Sequence, residues 1–328
     1  MTTDTRFATK LDTIDDAPEP LRNVLLDNLS SPDSVGLLIH APAFVTSDER
    51  SPRGLWVATS TVVAPATVLA VTSDGWLVAS ETEDGGASVE KAHFHDTLFL
   101  ELTSILLSGQ LRIYFAAVGT SYSATMNFDT VGEELYREAI DLILSGIDRT
   151  PKTTANNDRH VASTFEAWPM KFRNEAERYR PKGQRLLAAT QWSGIVDGFQ
   201  RELCPTGALL VTERELVLIS EEKRSFRLHC GDFQQFGGII TYFPLIRLLD
   251  FHVSHHERFG VLALRVHAVH GGEKLEIIFP ADHEKVVAKA MEQVRADKGQ
   301  SEAIQPAQGS GYASAQRPKV QHYYPNDL

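Results

Sequence analysis

The sequence predicts a mainly β fold of the α+β class, with two tandem antiparallel β-units each closed by a C-terminal α-helix. Two observations carry most of this. The stretches 67–72 (TVLAVT) and 76–81 (WLVASE) reappear in kind at 207–212 (GALLVT) and 216–221 (LVLISE), each pair reading strand, polar turn, strand, acidic end. Both halves then run through further apolar stretches into a segment with apolar residues at helical spacing. A chain of 328 residues also exceeds what one core usually serves, at about 100–200 residues per domain.

The elements follow in order. Asp16-Ala17-Pro18-Glu19 reads as a capped start with Pro in the first turn, and Leu21, Val24, Leu25 and Leu29 continue it as a short helix within an N-terminal segment, 1–32. A first unit over 33–148 holds strands at 35–40, 67–72, 76–80, 97–106, 111–117 and 122–128. Ser73-Asp74-Gly75, Glu83-Asp84-Gly85-Gly86 and Ser108-Gly109 supply the tight turns between them. Thr130 to Glu133 reads as a capping box, after which Leu135, Ala139, Leu142 and Ile143 form an apolar stripe. The polar stretch 149–168 reads as a linker. A second unit, 169–297, repeats the plan: 111–115 answers to 261–266, 125–128 to 275–279, and the closing helix to 282–294. The tail, 298–328, is rich in Gln, Ala, Ser, Gly and Pro and is expected to be disordered.

Composition narrows the function. Charged residues make up 23% and hydrophobic ones 42%, values of an ordinary folded chain. No apolar run approaches the roughly 18–20 residues needed to span a bilayer, and Met1 to Asp16 lacks the pattern of a secretory signal. A cytoplasmic protein is therefore expected. The net charge of -11 is uneven: residues 1–150 carry 9 Lys and Arg against 22 Asp and Glu, and residues 151–328 carry 23 against 21. An acidic first half argues against nucleic acid and disfavours peripheral contact with anionic lipid, both of which need cationic surfaces. Cys204 and Cys230 read as two reduced residues rather than a bridge or a metal pair.

The segment ALLVTERELVLISEEKRSFRL from Ala208 to Leu228, the strands around Leu248 and Val261, and the helix from Glu284 to Val294 together resemble bacterial pleckstrin-homology-like domains. The likeness covers roughly 33–146 and 184–295 and rests on the order of elements. It implies two tandem bent antiparallel sheet or barrel units, each plugged by a C-terminal helix. It also implies a noncatalytic module that binds a protein or peptide, phosphoinositide binding being the other common use of the fold.

Chemistry-bearing groups are sparse. His93 and His95 are spaced to share one face of a strand, with Glu101 downstream, but the gaps depart from the cupin metal motif. His252, His255 and His256 with Glu257, and His267 and His270 beyond, form a denser group that could meet across a hairpin; a metal-dependent enzyme at His252–His256 is one alternative function. Arg178, Arg180, Lys182 and Arg185 precede or enter the first strand of the second unit, and Lys223, Arg224 and Arg227 lie on a later one. Convergence of these cations would make an anion or lipid-headgroup sensor, the other alternative; solvated strand edges are the plainer reading. No GxGxxG, Walker, GxSxG or HExxH pattern occurs, and Cys204 and Cys230 have no assignable base. Tyr242, Phe243, Phe251 and Phe259 read as core or interface. No catalytic residue, metal or cofactor is assigned. A noncatalytic interaction scaffold is expected, engaging a protein or peptide through its sheet faces or an inter-unit cleft, with homo-oligomerisation left open.

Overall fold

The computed structural model describes residues 7–29, 31, 34–46, 62–149, 164–196, 198–199, 202–228 and 231–304; side chains at 44–46, 62–63, 223–228, 231–236 and 296–304 are outside that description. The chain is mainly β, and all strand pairings are antiparallel. The first half contains β1 (Thr9–Lys10), α1 (Glu19–Asn28), β2 (Val35–Ala41), β3 (Phe44–Thr46), β4 (Val62–Ala64), β5 (Thr67–Thr72), β6 (Gly75–Glu81) and β7 (Ala87–His93). It continues through β8 (Thr97–Ile105), β9 (Ser108–Ala117), β10 (Thr120–Asp129) and α2 (Glu133–Ile147). The second half has α3 (Met170–Tyr179), β11 (Leu186–Trp192), β12 (Ile195–Val196), β13 (Glu202–Cys204), β14 (Gly207–Thr212), β15 (Glu215–Leu228) and β16 (Gly231–Pro244). It ends with β17 (Leu248–His256), β18 (Phe259–Ala268), β19 (Gly271–Pro280) and α4 (Glu284–Ile304).

Both halves repeat one order: helix, four long strands with a small hairpin inserted after the first, three strands, closing helix. The match extends to irregularities. β2 slips against β5 between Val35 and Leu37, and β11 against β14 between Leu186 and Ala188. β8 slips against β9 between Thr97 and Phe99, and β17 against β18 between Leu248 and Asp250. The first turns share their chemistry too. The Thr72 hydroxyl accepts from the amides of Asp74 (3.4 Å) and Gly75 (3.0 Å), and the Thr212 hydroxyl accepts from those of Arg214 (3.4 Å) and Glu215 (3.0 Å). A short polar side chain that serves two turn amides stabilises the reversal without a glycine-dependent turn.

The repeats do not stand apart. β8 pairs with β16, Leu100 to Ile105 lying opposite Tyr242 to Gly237, and so joins two half-sheets into one of seven strands in the order β10-β9-β8-β16-β15-β14-β11. A five-stranded sheet, β1-β2-β5-β6-β7, and a three-stranded one, β17-β18-β19, complete the frame; among the described residues no sheet closes on itself. The core crosses the junction as well. Tyr136, Ile140 and Ile143 of α2 pack in one cluster with Phe172, Ala176 and Tyr179 of α3 and with Leu210, Ile219 and Tyr242 of the second half.

β5 is buried at every position because α1 covers one face, Leu21 and Leu25 resting on Val68, Ala70, Leu77 and Ala79, while Leu69 and Val71 face the main core. Strands covered on both faces lose the alternation of half-buried ones, which explains their apolar runs. Among the described side chains of α4 the buried ones are Val287, Ala290, Met291 and Val294, three and four apart as one helical face requires.

Several expectations need adjustment. The core stripe of α2 is Tyr136, Ala139, Ile140, Ile143, Leu144 and Ile147, while Leu142 faces solvent. Asp129, not Thr130, caps the preceding 3-10 turn by accepting from the Val131 amide, and Thr130 donates to the Leu106 carbonyl. Pro18 stands at the N-cap of α1, whereas Asp16 closes a box with Thr13 one turn earlier. β7 (Ala87–His93) is a further strand beyond the Glu83–Gly86 turn, where the sequence predicts no element, and α3 occupies ground assigned to the approach to a strand. The stretch read as a linker lies mostly outside the described residues. α4 runs to Ile304, so the first positions of the expected tail are helical, and the tail from 305 onward is also outside the description.

Candidate functional site

His93 ends β7, and His95 sits in the 3-10 turn Phe94–Asp96 that leads into β8, so the two rings are not side by side on a strand. The turn instead stacks them, with centroids 5.1 Å apart and planes 7° off parallel. Asp96, the next residue, is 7% exposed and receives two imidazoles: His95 Nε2 lies 3.2 Å from its Oδ2, and His270 Nδ1 lies 2.7 Å from its Oδ1. His270 belongs to the turn between β18 and β19, in the other repeat. The His93 Nδ1 stands 3.4 Å from Asp74 Oδ2.

The backbone beneath the cluster is fastened from the second repeat. Arg247, half-buried in the turn before β17, donates to the carbonyls of Phe94 (2.8 Å) and Thr97 (3.0 Å), the residues that bracket His95 and Asp96. A planar guanidinium has several donors in fixed directions, which suits it to gripping two carbonyls at once. Burial holds the His95 imidazole below its ordinary pKa; Asp96 opposes this, while His93, His270 and Arg247 reinforce it.

The other histidines are dispersed. His252, His255 and His256 lie exposed along β17; His255 Nδ1 meets Glu284 Oε2 of α4 at 3.1 Å, and the His256 ring stacks on Phe259 at 5.4 Å. Among the described residues, the His, Cys, Asp and Glu group close enough to share an ion is His95, Asp96 and His270. The expected meeting across the β17–β18 hairpin is replaced by a meeting between repeats.

Of the cations named from the sequence, Arg178 and Arg185 are held by separate carboxylates. Arg178, on α3, pairs with Glu133 at 2.9 Å and Glu134 at 3.4 Å; Arg185 pairs with Glu213 at 2.9 Å; Arg180 donates to the Gln184 carbonyl at 3.2 Å. Lys182 borders a small cavity of about 30 Å³ beside Arg214 and Glu215. Lys223, Arg224 and Arg227 lie on β15 with side chains outside the described set. A cleft of about 620 Å³ lined by Trp192, Glu257, Arg258 and His283 opens near the β17–β18 turn, away from the histidine–aspartate cluster.

Among the described residues the three larger sheets have six edge strands, β1, β7, β10, β11, β17 and β19. β7 ends the five-stranded sheet and β17 ends the three-stranded one. β17 is flanked by α4, whose Arg295 guanidinium lies 4.3 Å from the centre of the Phe251 ring. Nothing in the sequence marks which strand ends a sheet, because that depends on pairings between distant segments. A scan against protein-family models finds no match for this chain, and a search of curated proteins finds none either.

Proposed function

We propose that the chain is a noncatalytic interaction module of two pleckstrin-homology-like units that binds an extended segment of a protein partner by strand addition along β17. The repeated order of four strands, three strands and a closing helix supports the pleckstrin-homology-like reading.

One observation carries the choice of edge. β8, first of the three strands in its repeat, takes an antiparallel strand from elsewhere in the chain, β16, over six paired positions. β17 occupies the corresponding place in the second repeat, and among the described residues no strand lies on its outer side. Main-chain hydrogen bonding along such an edge supplies affinity, and side-chain pockets beside it supply selectivity. Exposed Leu249 and half-buried Phe251 and Val253, with α4 alongside, offer such surroundings. The β8–β16 ladder and the shared core occupy ground between the units, which favours this edge over an inter-unit cleft as the partner site.

Panning a random peptide library on the full chain tests the proposal, with hydrogen–deuterium exchange read across 248–256. Selected peptides are expected to slow exchange in β17. Failure to select any binder, or binders that leave β17 exchange unchanged, would overturn it.

A further inference from the structure

His95, Asp96 and His270 each offer one ligand atom, and the three atoms lie within 4.8 Å of one another. The geometry points to a divalent metal site of the zinc class, formed by these three residues and spanning both repeats. It stands independently of strand addition at β17.

The donor set argues for the class of ion. Two imidazoles and a carboxylate match the three-ligand sets that hold zinc with one position left for water, whereas calcium and magnesium take oxygen donors and copper(I) favours sulfur. A tetrahedral ion with ligands at about 2.0–2.2 Å holds neighbouring ligand atoms about 3.3 Å apart. The observed separations, 2.7 Å from His270 Nδ1 to Asp96 Oδ1 and 3.2 Å from His95 Nε2 to Asp96 Oδ2, both fall short of that value and use different oxygens, so side-chain rotations that open them would admit the ion on one oxygen.

Access and support are both present. The carboxylate is sunk, its side chain 10% exposed, while the rings of His95 and His270 are 52% and 56% exposed, leaving an approach from solvent. Arg247 fixes the carbonyls on either side of the ligating pair, and His93 stacks against the His95 ring and sets its plane. Such supporting contacts orient ligands and strengthen binding. Asp96 alone could satisfy two imidazoles by hydrogen bonding, but that leaves unexplained why a third imidazole and a two-carbonyl arginine clamp gather at the same turn. Bound there, the ion ties the two repeats together at a point apart from the β8–β16 ladder, with its open position facing water.

The test uses full-length protein stripped with chelator and titrated with zinc against a chromophoric competitor, alongside thermal unfolding. One equivalent is expected to bind the parent chain and raise its melting temperature, since a ligand that binds only the folded form stabilises it. His270→Ala, at an exposed ring, is expected to weaken zinc at least tenfold and abolish the shift. Asp96→Asn is expected to weaken zinc comparably, and His252→Ala is expected to change neither readout. Absence of zinc binding at micromolar concentration, or His270→Ala binding zinc as well as the parent, would overturn the site. Equal loss in His252→Ala would overturn it too, by assigning the ion to scattered surface histidines.

Discussion

The Gly119 amide donates to the His270 carbonyl at 2.7 Å, and the two residues hold the same place in the two repeats, second in the turn before the last strand. Equivalent turns therefore touch. In the first of them Val118 and Gly119 have φ of 51° and 83°, as a two-residue hairpin with positive φ at both positions requires. Glycine adopts this freely, whereas a β-branched residue does so at a cost. Val118 is 78% exposed and gains little packing in return. Val118→Asn is expected to raise stability by about 1 kcal/mol in denaturant unfolding. A loss instead would mean that the valine side chain has a packing role.

Glu133, 2% exposed at the start of α2, joins three elements: it accepts from Ser104 of β8 at 2.9 Å and Tyr179 of α3 at 2.8 Å, and it pairs with Arg178 at 2.9 Å. Glu133→Ala strands the buried Tyr179 hydroxyl and is expected to cost about 3 kcal/mol. Glu133→Gln, which keeps an acceptor in place, is expected to lose distinctly less. Equal losses in denaturant unfolding would show that volume matters here and the network does not.

At Gly237 a Cβ would come 2.3 Å from Ile105 Cγ1 and 2.6 Å from the Ser104 carbonyl oxygen, on the ladder that joins the repeats. Gly237→Val is expected to destabilise the chain by on the order of 2 kcal/mol. Local loosening should show as faster amide exchange in 100–105 and 237–242, and unchanged exchange there would deny the ladder its joining role.

Burial pushes the Glu215 carboxyl up to about 7 from 4.5; Gln184, Arg214 and Thr212 oppose the rise, and Asp148 adds to it. The folded state thus keeps a proton that the unfolded chain releases above pH 4.5. The associated stability is full below that pH and is lost as pH rises through about 7. Glu215→Gln is neutral throughout, so its stability is expected to fall less between acid and mildly basic pH than that of the parent, by up to about 3 kcal/mol. Glu175, pushed to about 7 chiefly by burial, titrates in the same direction and leaves the variant a residual slope. Parallel curves for parent and variant would contradict the assignment.

What the sequence made legible is what local rules govern. The hairpins β5–β6 and β14–β15 announce themselves through apolar runs around turn residues, and α2 and α4 through spacing. α3 was missed because only Phe172, Ala176 and Tyr179 of its ten residues are buried, too thin a stripe among charges. The cluster at Asp96 was legible only in fragments. His93 and His95 drew notice, as did His270, yet Asp96 and His270 lie 174 positions apart and meet only through a pairing of repeats that no local pattern encodes. Arg178 and Arg185 looked like a supply of cations because their partners, Glu133 and Glu213, are likewise remote.

The β8–β16 ladder also sets a schedule for biosynthesis. Leu100 to Ile105 leave the ribosome long before Gly237 to Tyr242, and at about 5–20 residues per second the interval is on the order of ten seconds. Throughout it, a strand carrying Leu100 and Leu102 has a bare edge that any extended chain could occupy. The first repeat thus emerges with its sheet unfinished, and a chain interrupted between the repeats would carry that edge permanently.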